Sequence, residues 1–226
     1  GEIKHLVIHK YDVYRSPNVG LFTRTNDNTL LLPFGFAETK TNKLKEYLDV
    51  EKIIHVSVAG TRLMGPMTVM NNNGILLPST VSDEEIQILK QTGLNVERLK
   101  SKFTAIGNLI SANDKGAIVS NLFKGEVNQD IKDTLGVPIQ TMSIGGFVQV
   151  GSMVVATNAG AIVHPKANDA EISRISEILQ VEAEPATVNG GSPFLSSGII
   201  ANFSSVIVGN LTTGPELIMI SRALKV

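Results

Sequence analysis

The chain has 226 residues, of which 42% are hydrophobic, and its net charge at pH 7 is −1. The apolar content is ample for a core, whereas the neutral charge excludes the global basic field typical of DNA-binding proteins. The absence of cysteine excludes disulfides, thiolate catalysis and Cys-ligated metal sites. We therefore expect a cytoplasmic protein, and because no apolar run approaches the roughly 20 residues of a membrane helix, we expect no membrane contact.

The first predicted element is a strand over residues 5–9, followed by a pattern that recurs five times. Each copy has a glycine, an apolar stretch, an Asn-rich turn, a second apolar stretch and a polar break. The copies open at Gly20, Gly65, Gly107, Gly151 and Gly198. A period of this length, with a supersecondary unit in each copy, is typical of a solenoid, a propeller or a closed ring. Because no linker interrupts the pattern, residues 1–226 are predicted to form a single domain.

Each copy is predicted to contain two strands, a helix and a third strand. The strands meet in a hairpin, where Asn73-Gly74 and Ala159-Gly160 supply residues that tolerate positive φ. The helices begin at capping-box patterns, Ser82 with Glu85 and Asn168 with Glu171. We expect each helix to cover the hairpin and third strand of its own unit. The third strands are predicted at residues 53–58, 96–99, 138–142 and 181–186.

The fifth copy ends with a helix at about residues 215–223 and has no third strand. The N-terminal strand is the economical replacement, because it would close the chain into a ring and leave few exposed strand edges. The predicted fold is therefore α/β, a closed ring of five pseudo-symmetric ββαβ units. The units cover residues 20–64, 65–106, 107–150, 151–197 and 198–226 plus 3–10. A linear solenoid is the alternative, but its terminal units would be polar caps, and these are not.

The sequence contains no complete catalytic motif. Residues 60–65 have the glycine spacing of a phosphate-binding loop, but Pro66 and Met67 stand where Lys and Ser or Thr are required. The pairs Gly145-Gly146 and Gly190-Gly191 are interpreted as flexible connections. The four histidines form no convincing metal or catalytic group. We predict no metal, no cofactor and no enzymatic activity.

Five connectors link each third strand to the next opening glycine, and pseudo-symmetry places them at one end of the molecule. Against one acid, Asp12, they carry four basic residues, Arg15, Arg62, Lys100 and Lys102. They also carry the apolar residues Leu63, Met64, Phe103, Phe147, Phe194 and Leu195. A basic, apolar-centred surface built from loops is typical of a docking face. The alternative is that Phe147, Leu63 and Leu195 plug the central axis.

Six segments, in order along nearly the whole chain, carry a family resemblance: residues 57–60, 104–108, 150–152, 160–165, 187–189 and 212–216. The chain resembles the translation initiation factor 6 family, the ribosome anti-association factors of archaea and eukaryotes, and is similar to the archaeal form.

The resemblance implies a pentein-type ring that binds the large ribosomal subunit on its intersubunit side and prevents premature joining of the small subunit. It further implies contact with ribosomal protein L14 near the sarcin–ricin loop of the large-subunit RNA, and a role in large-subunit maturation. Internal fivefold symmetry makes a monomer the simplest expectation. Whether the connector end or the helix end meets the ribosome stays open.

The family's binding position after an opening glycine is kept at Asn108. A basic residue that eukaryotic members have after the second opening glycine is replaced by Pro66, and Arg62 is a candidate substitute. The candidate ribosome-binding residues are Asn108, Arg62, Met64, Pro66, Lys102, Ser152 and Asn189. Two alternatives remain, a cysteine-free pentein enzyme acting on a small molecule in the central channel and a nucleic-acid clamp, although the clamp lacks a basic lining.

Overall fold

The computed structural model describes residues 7–226, which form a mixed α/β structure with five three-stranded sheets. Fifteen strands occur in these residues: β1 Val7–Lys10, β2 Arg24–Thr25, β3 Thr29–Leu32, β4 Lys52–His55, β5 Val69–Met70, β6 Gly74–Pro78, β7 Asn95–Leu99, β8 Ile110–Ala112, β9 Ala117–Ser120, β10 Ile139–Met142, β11 Val154–Ala156, β12 Ala161–Val163, β13 Ala183–Pro185, β14 Ile199–Ala201 and β15 Ser205–Val208.

The same described part of the chain has eight α-helices: α1 Val19–Phe22, α2 Glu38–Leu48, α3 Met64–Met67, α4 Asp83–Lys90, α5 Asn128–Leu135, α6 Val150–Met153, α7 Asp169–Leu179 and α8 Gly214–Leu224. Short 3-10 turns occur at Ile106–Asn108, Asn121–Phe123 and Leu195–Ser197. The predicted capping boxes are confirmed at α4 and α7, and Thr213 with Glu216 forms a third at α8.

All five sheets have one topology, which confirms the predicted ββαβ repeat. The middle strand pairs antiparallel with its hairpin partner and parallel with a third strand, as in the order β2-β3-β4. In the fifth sheet that third strand is β1, which pairs parallel with β15 from Val7 opposite Ser205 to Lys10 opposite Val208. The N-terminal strand therefore completes the fifth unit as predicted, although residues 5 and 6 of its predicted range lie outside the described residues.

Each unit opens with a short helical turn that was not predicted from the sequence. Four of the predicted opening glycines lie in these turns, and a Cβ on Gly65 would stand 1.8 Å from the carbonyl oxygen of Gly20 in the preceding unit. Gly20 and Ser196 are equally close, because a Cβ on Gly20 would stand 1.8 Å from the carbonyl oxygen of Ser196. Ser196, rather than Gly198, is therefore the structural equivalent of the opening glycines. The spacing agrees, because Ser196 stands six residues before Asn202 and Gly65 stands six residues before Asn71.

The helices lie between two sheets rather than on one. In one core, Ile86 and Leu89 of α4 pack with Ile75 of their own unit and also with Leu31 and Ile54 of the preceding unit. The expectation that each helix covers only its own sheet is therefore incomplete. Four other cores repeat this arrangement, including one in which Leu44 and Leu48 of α2 pack with Ile200 and Ile207 of the fifth unit.

The shared cores explain the hairpin glycines. Neither Gly74 nor Gly160 has positive φ, so the predicted turn chemistry is wrong. The turn after β5 is instead organised by Asn71, whose Oδ1 accepts hydrogen bonds from the backbone of Asn73 and Gly74 at 2.9 and 3.0 Å. A Cβ on Gly74 would stand 2.1 Å from the carbonyl oxygen of Thr134 in the next unit's helix. Glycine is needed there because a neighbouring helix approaches closely.

Buried asparagines at the hairpin ends join neighbouring units. Asn71 Nδ2 donates to the carbonyl oxygens of Asn113 and Leu135 in the following unit, at 3.1 and 2.9 Å. Asn202 of the fifth unit donates in the same way to Asn26 and Leu48 of the first unit, at 3.3 and 2.9 Å. The fifth unit thus contacts the first through the same bonds that join units adjacent in sequence.

Candidate functional site

Four of the five connectors contain a tight turn with two consecutive residues at positive φ. The pairs are Tyr14-Arg15, Ala59-Gly60, Gly145-Gly146 and Asn189-Gly190, each closed by a short antiparallel bridge. In the first three turns two such residues separate the bridged pair, which is the signature of a type I′ turn, and the fourth turn has a third residue at positive φ, Gly191. Gly145-Gly146 and Gly190-Gly191, which the sequence led us to interpret as flexible connections, form turns of this kind.

Three of these turns are fixed by the capping glutamate of the long helix in the following unit, α4, α7 or α8. Glu216, at the third position of α8, accepts hydrogen bonds from the backbone N–H of Gly190 and Gly191 at 2.8 and 3.0 Å and from Thr187 Oγ1 at 2.7 Å. Glu85 accepts equivalent bonds from Ser57, Ala59 and Gly60. Glu171 accepts from Gly145. The same carboxylate therefore caps a helix and holds the connector in place.

The hydrogen bonds decide the charge of these carboxylates. Burial by itself would raise the pKa of Glu216, but donors from Thr213, Thr187 and Gly190 lower it to about 2. The pKa of Glu85 is also lowered, because the donors from Ser57, Ser82 and Gly60 outweigh the effect of burial. Both groups are ionised at neutral pH and bind the turns as anions.

The short helical turns bring three of the predicted site residues together. Pro66, Asn108 and Ser152 line one shallow cavity, together with residues of the first and fifth units. The other lining residues are Gly20, Leu21, Gly65, Gln149, Phe194, Ser196 and Ser197. This cavity and the connector turns beside it are here called the connector face.

Among the described residues, Asn108 contributes a free side-chain amide to the cavity, as Gln149 does, whereas two neighbouring hydroxyl groups are bonded internally. The Oγ atom of Ser152 donates to the carbonyl of Gln149 at 2.9 Å, and that of Ser197 donates to Phe194 at 3.0 Å. Within residues 7–226 the Asn108 amide makes no hydrogen bond, although the residue is only partly buried. A half-buried amide with its donors and acceptor unused is available to a partner that docks on this face.

Cations lie over aromatic rings of the connectors. The guanidinium of Arg62 lies 4.9 Å from the ring centre of Tyr14, and Lys102 lies 5.4 Å from that of Phe103. A third pair, Lys166 over Phe147 at 5.5 Å, was not identified from the sequence. Because Arg62 and Lys102 are exposed, the connector face presents positive charge beside apolar surface.

Met64 and Asn189 have internal contacts instead. Met64 is fully buried and packs in the core between the first two units, so its side chain does not reach the connector face. The amide of Asn189 is occupied, because its Nδ2 donates to the carbonyl of Pro17 at 2.8 Å and its Oδ1 accepts from Thr212 at 3.3 Å. Asn189 joins the fifth connector to the first.

The apolar connector residues do not share one role. Leu195 is fully buried and belongs to the core between the fourth and fifth units. Leu63 is 37% exposed and Phe194 is equally so. Phe147 is partly buried against the core between the third and fourth units, and its ring contacts Phe194 with centres 6.2 Å apart. Leu63 and Phe194 therefore contribute to a surface.

A second cavity, here called the inner cavity, is lined by the first strands of all five units, β2, β5, β8, β11 and β14. Its described lining includes Arg24, Thr25, Ser111 and Ser196 but neither a histidine nor a carboxylate. His164 is buried elsewhere, against Phe147 and Phe194. No group of three or more His, Asp or Glu residues in positions 7–226 is arranged to hold a metal. In the described residues, the inner cavity therefore contains no acid–base pair of the kind that an enzyme acting in the central channel would use.

None of the helices in the described residues is long and apolar enough to cross a membrane.

Comparison with known proteins identifies the family. The model of the eIF-6 family matches residues 8–223. The chain belongs to the eIF-6 family. Among its relatives, "Translation initiation factor 6" of Cenarchaeum symbiosum is 50% identical over 217 residues, covering 96% of this chain and 98% of that protein. The proteins of the same name from Nitrosopumilus maritimus and Pyrococcus horikoshii are 49% and 39% identical, each with 96% of this chain and 98% of the relative covered.

These matches confirm the resemblance stated from the six sequence segments. The similar proteins are archaeal translation initiation factors, and their alignment with this eIF-6 family member extends over nearly its whole length. The connector face and the inner cavity both lie within the matched region.

Proposed function

We propose that this eIF-6 family member acts in translation initiation by binding the large ribosomal subunit on its intersubunit side, where it prevents premature joining of the small subunit. The connector face is the binding surface, and ribosomal protein L14, near the sarcin–ricin loop of the large-subunit RNA, is its main partner. The mechanism is steric and needs no catalysis. A role in large-subunit maturation follows from binding the same surface before initiation.

The free amide of Asn108 is the observation that carries this proposal. The hydroxyls of Ser152 and Ser197 beside it are satisfied internally, whereas this amide is held at the cavity by a 3-10 turn and has no partner in residues 7–226. Arg62 and Lys102 place exposed positive charge on the connectors. A protein partner with acidic and polar side chains, or an RNA phosphate, is complementary to that combination.

We also infer that the five units close into one pentein-type ring, a single domain that acts as a monomer. Five cores are each shared by two units, and the series includes a core between the fifth and first units. A closed ring suits steric blocking, because it gives the connector turns a rigid support.

Co-sedimentation with purified archaeal large subunits tests the proposal. The variant Asn108→Asp with Arg62→Glu changes the charge of the connector face by −3, and we expect it to lose at least about tenfold in affinity, equal to 1.4 kcal/mol. The matched control is Asn28→Asp with Lys132→Glu, which makes the same change at two exposed positions away from that face. We expect the control to bind like the wild type.

The co-sedimentation results test the binding surface and the function separately. If both double variants bind like the wild type, the connector face is the wrong surface. If the wild type itself does not sediment with large subunits, the function is wrong. A second assay measures joining directly: wild-type protein added to large subunits before small subunits is expected to reduce the joined fraction on a sucrose gradient.

A further inference from the structure

The inner cavity combines two features that point to a ligand, namely backbone donors from every unit and an arginine without an acidic partner. Residues of all five first strands line it, and the last residue of each of these strands contributes in the same way. These positions are Thr25, Met70, Ala112, Ala156 and Ala201.

The hairpin hydrogen bonds fix the direction of the backbone at these positions. The residue that follows each of them donates its N–H to a carbonyl of its own hairpin, as in Asn71 to Gly74 at 3.1 Å and Thr157 to Gly160 at 2.9 Å. In an antiparallel pair, alternate residues direct their N–H groups to opposite sides. The five lining residues therefore direct their N–H groups away from their partner strands, on the side where the cavity lies.

Arg24 supplies the positive charge at the inner cavity. Its Nη2 donates to the carbonyl oxygens of Gly65 and Thr68, both at 2.7 Å, and its Nε donates to Thr68 at 3.2 Å. Within residues 7–226 its Nη1, which is not among the fully buried atoms, has no hydrogen-bond partner, and no carboxylate pairs with the guanidinium. Desolvation lowers the pKa of Arg24 to about 10, so the side chain is still a cation at neutral pH.

We propose that the inner cavity binds one small inorganic anion between Nη1 of Arg24 and the inward-facing N–H groups of the first strands. The carbonyl oxygens that hold Nη2 and Nε are dipoles and leave the full positive charge uncompensated. Arg24 is partly buried and has no counter-charge among the described residues, and an anion in the cavity beside it would provide one. Guanidinium and backbone N–H groups are the donors that proteins use for halides and small oxyanions alike.

Chloride is the first probe, and its binding is measured from the line width of the ³⁵Cl NMR signal of the full chain at constant ionic strength. We expect excess broadening by the wild type, which bromide removes by displacement. The variant Arg24→Gln removes the charge, and we expect it to lose at least nine-tenths of the excess broadening. Arg98→Gln is the matched control, because Arg98 also donates to a carbonyl, that of Val81 at 2.9 Å, but is paired with Asp83. We expect the control to broaden the line like the wild type.

Equal broadening by Arg24→Gln and the wild type would overturn the proposal. A phosphate titration distinguishes the two kinds of anion. If phosphate displaces chloride, the site also binds oxyanions. If chloride stays bound when phosphate is added, the site is specific for halides. If Arg24→Gln does not fold, the proposed site is tested instead in crystals of the wild type grown with bromide. An anomalous peak beside Nη1 supports the site, and a cavity holding only water refutes it.

Discussion

At the scale of single residues, Glu216 has two structural roles, because its carboxylate accepts hydrogen bonds from its own helix N-terminus and from the connector turn at Gly190 and Gly191. It is 6% exposed, and its lowered pKa of about 2 reflects these donors. The connector face therefore depends on an ionised group that lies beneath it.

We predict that Glu216→Gln lowers the free energy of unfolding at pH 7 by about 2 kcal/mol, since the amide turns a donor toward an N–H group that then lacks an acceptor. The folded-state pKa lies below the usual value of 4.5, so the carboxylate's contribution is complete above that value and is lost as pH falls from about 5 towards 2. Urea unfolding followed from pH 7 to pH 3 measures both effects.

Glu177→Gln is the control for this prediction, because Glu177 is exposed on α7. We expect it to leave the stability at pH 7 unchanged and to lose stability with acid as the wild type does. Glu216→Gln is expected to have a shallower acid dependence than either. An equally steep dependence would mean that Glu216 does not carry the stabilising charge.

At the scale of elements, the connector turns differ in the strain of their backbone. Three turns have glycine as their second residue, Gly60, Gly146 and Gly190, but the first connector has Arg15 there at a φ of 57°. Tyr14 before it also has positive φ, at 52°, and its ring supports Arg62. Two non-glycine residues in the left-handed region cost free energy, which is tolerated most often at functional positions.

We therefore predict that Arg15→Gly stabilises the fold by up to about 1 kcal/mol, because glycine adopts this conformation freely. Since the substitution removes an exposed cation from the connector face, we also expect weaker binding to large subunits. Thermal unfolding and co-sedimentation measure the two effects. The reverse change, Gly60→Arg, is the control and is expected to lower the melting temperature. A destabilised Arg15→Gly protein would contradict the strain argument.

The repeat and its helices could be predicted from the sequence because their signals are local. Capping boxes, apolar spacing and the unpaired N-terminal strand gave the ββαβ units and the pairing of β1 with β15. The short opening turns, the function of Gly74 and the equivalence of Ser196 were missed, since each depends on contacts with a neighbouring unit. Asn108 could be selected from the family resemblance alone, and only the structure shows that its amide is free.

At the scale of the whole molecule, closure depends on the joint between the fifth and first units. Asn202 at that joint and Asn71 at the joint between the second and third units form a matched pair. Each is 4% exposed, each Nδ2 donates to two carbonyls of the following unit, and each Oδ1 accepts two N–H groups of its own turn.

Substitution by aspartate separates the two kinds of bond, because the carboxylate keeps the acceptor for the turn but loses the donor to the next unit. If the ring is closed in solution, Asn202→Asp and Asn71→Asp lose the same inter-unit bonds and leave buried carbonyls unpaired. We then expect both to lower the free energy of unfolding by at least about 2 kcal/mol, with a single urea transition in each case. In an open arc the fifth and first units would not meet, so Asn202→Asp would be nearly neutral while Asn71→Asp would still destabilise. The difference between the two variants, rather than either value, therefore decides whether the five units form a closed ring.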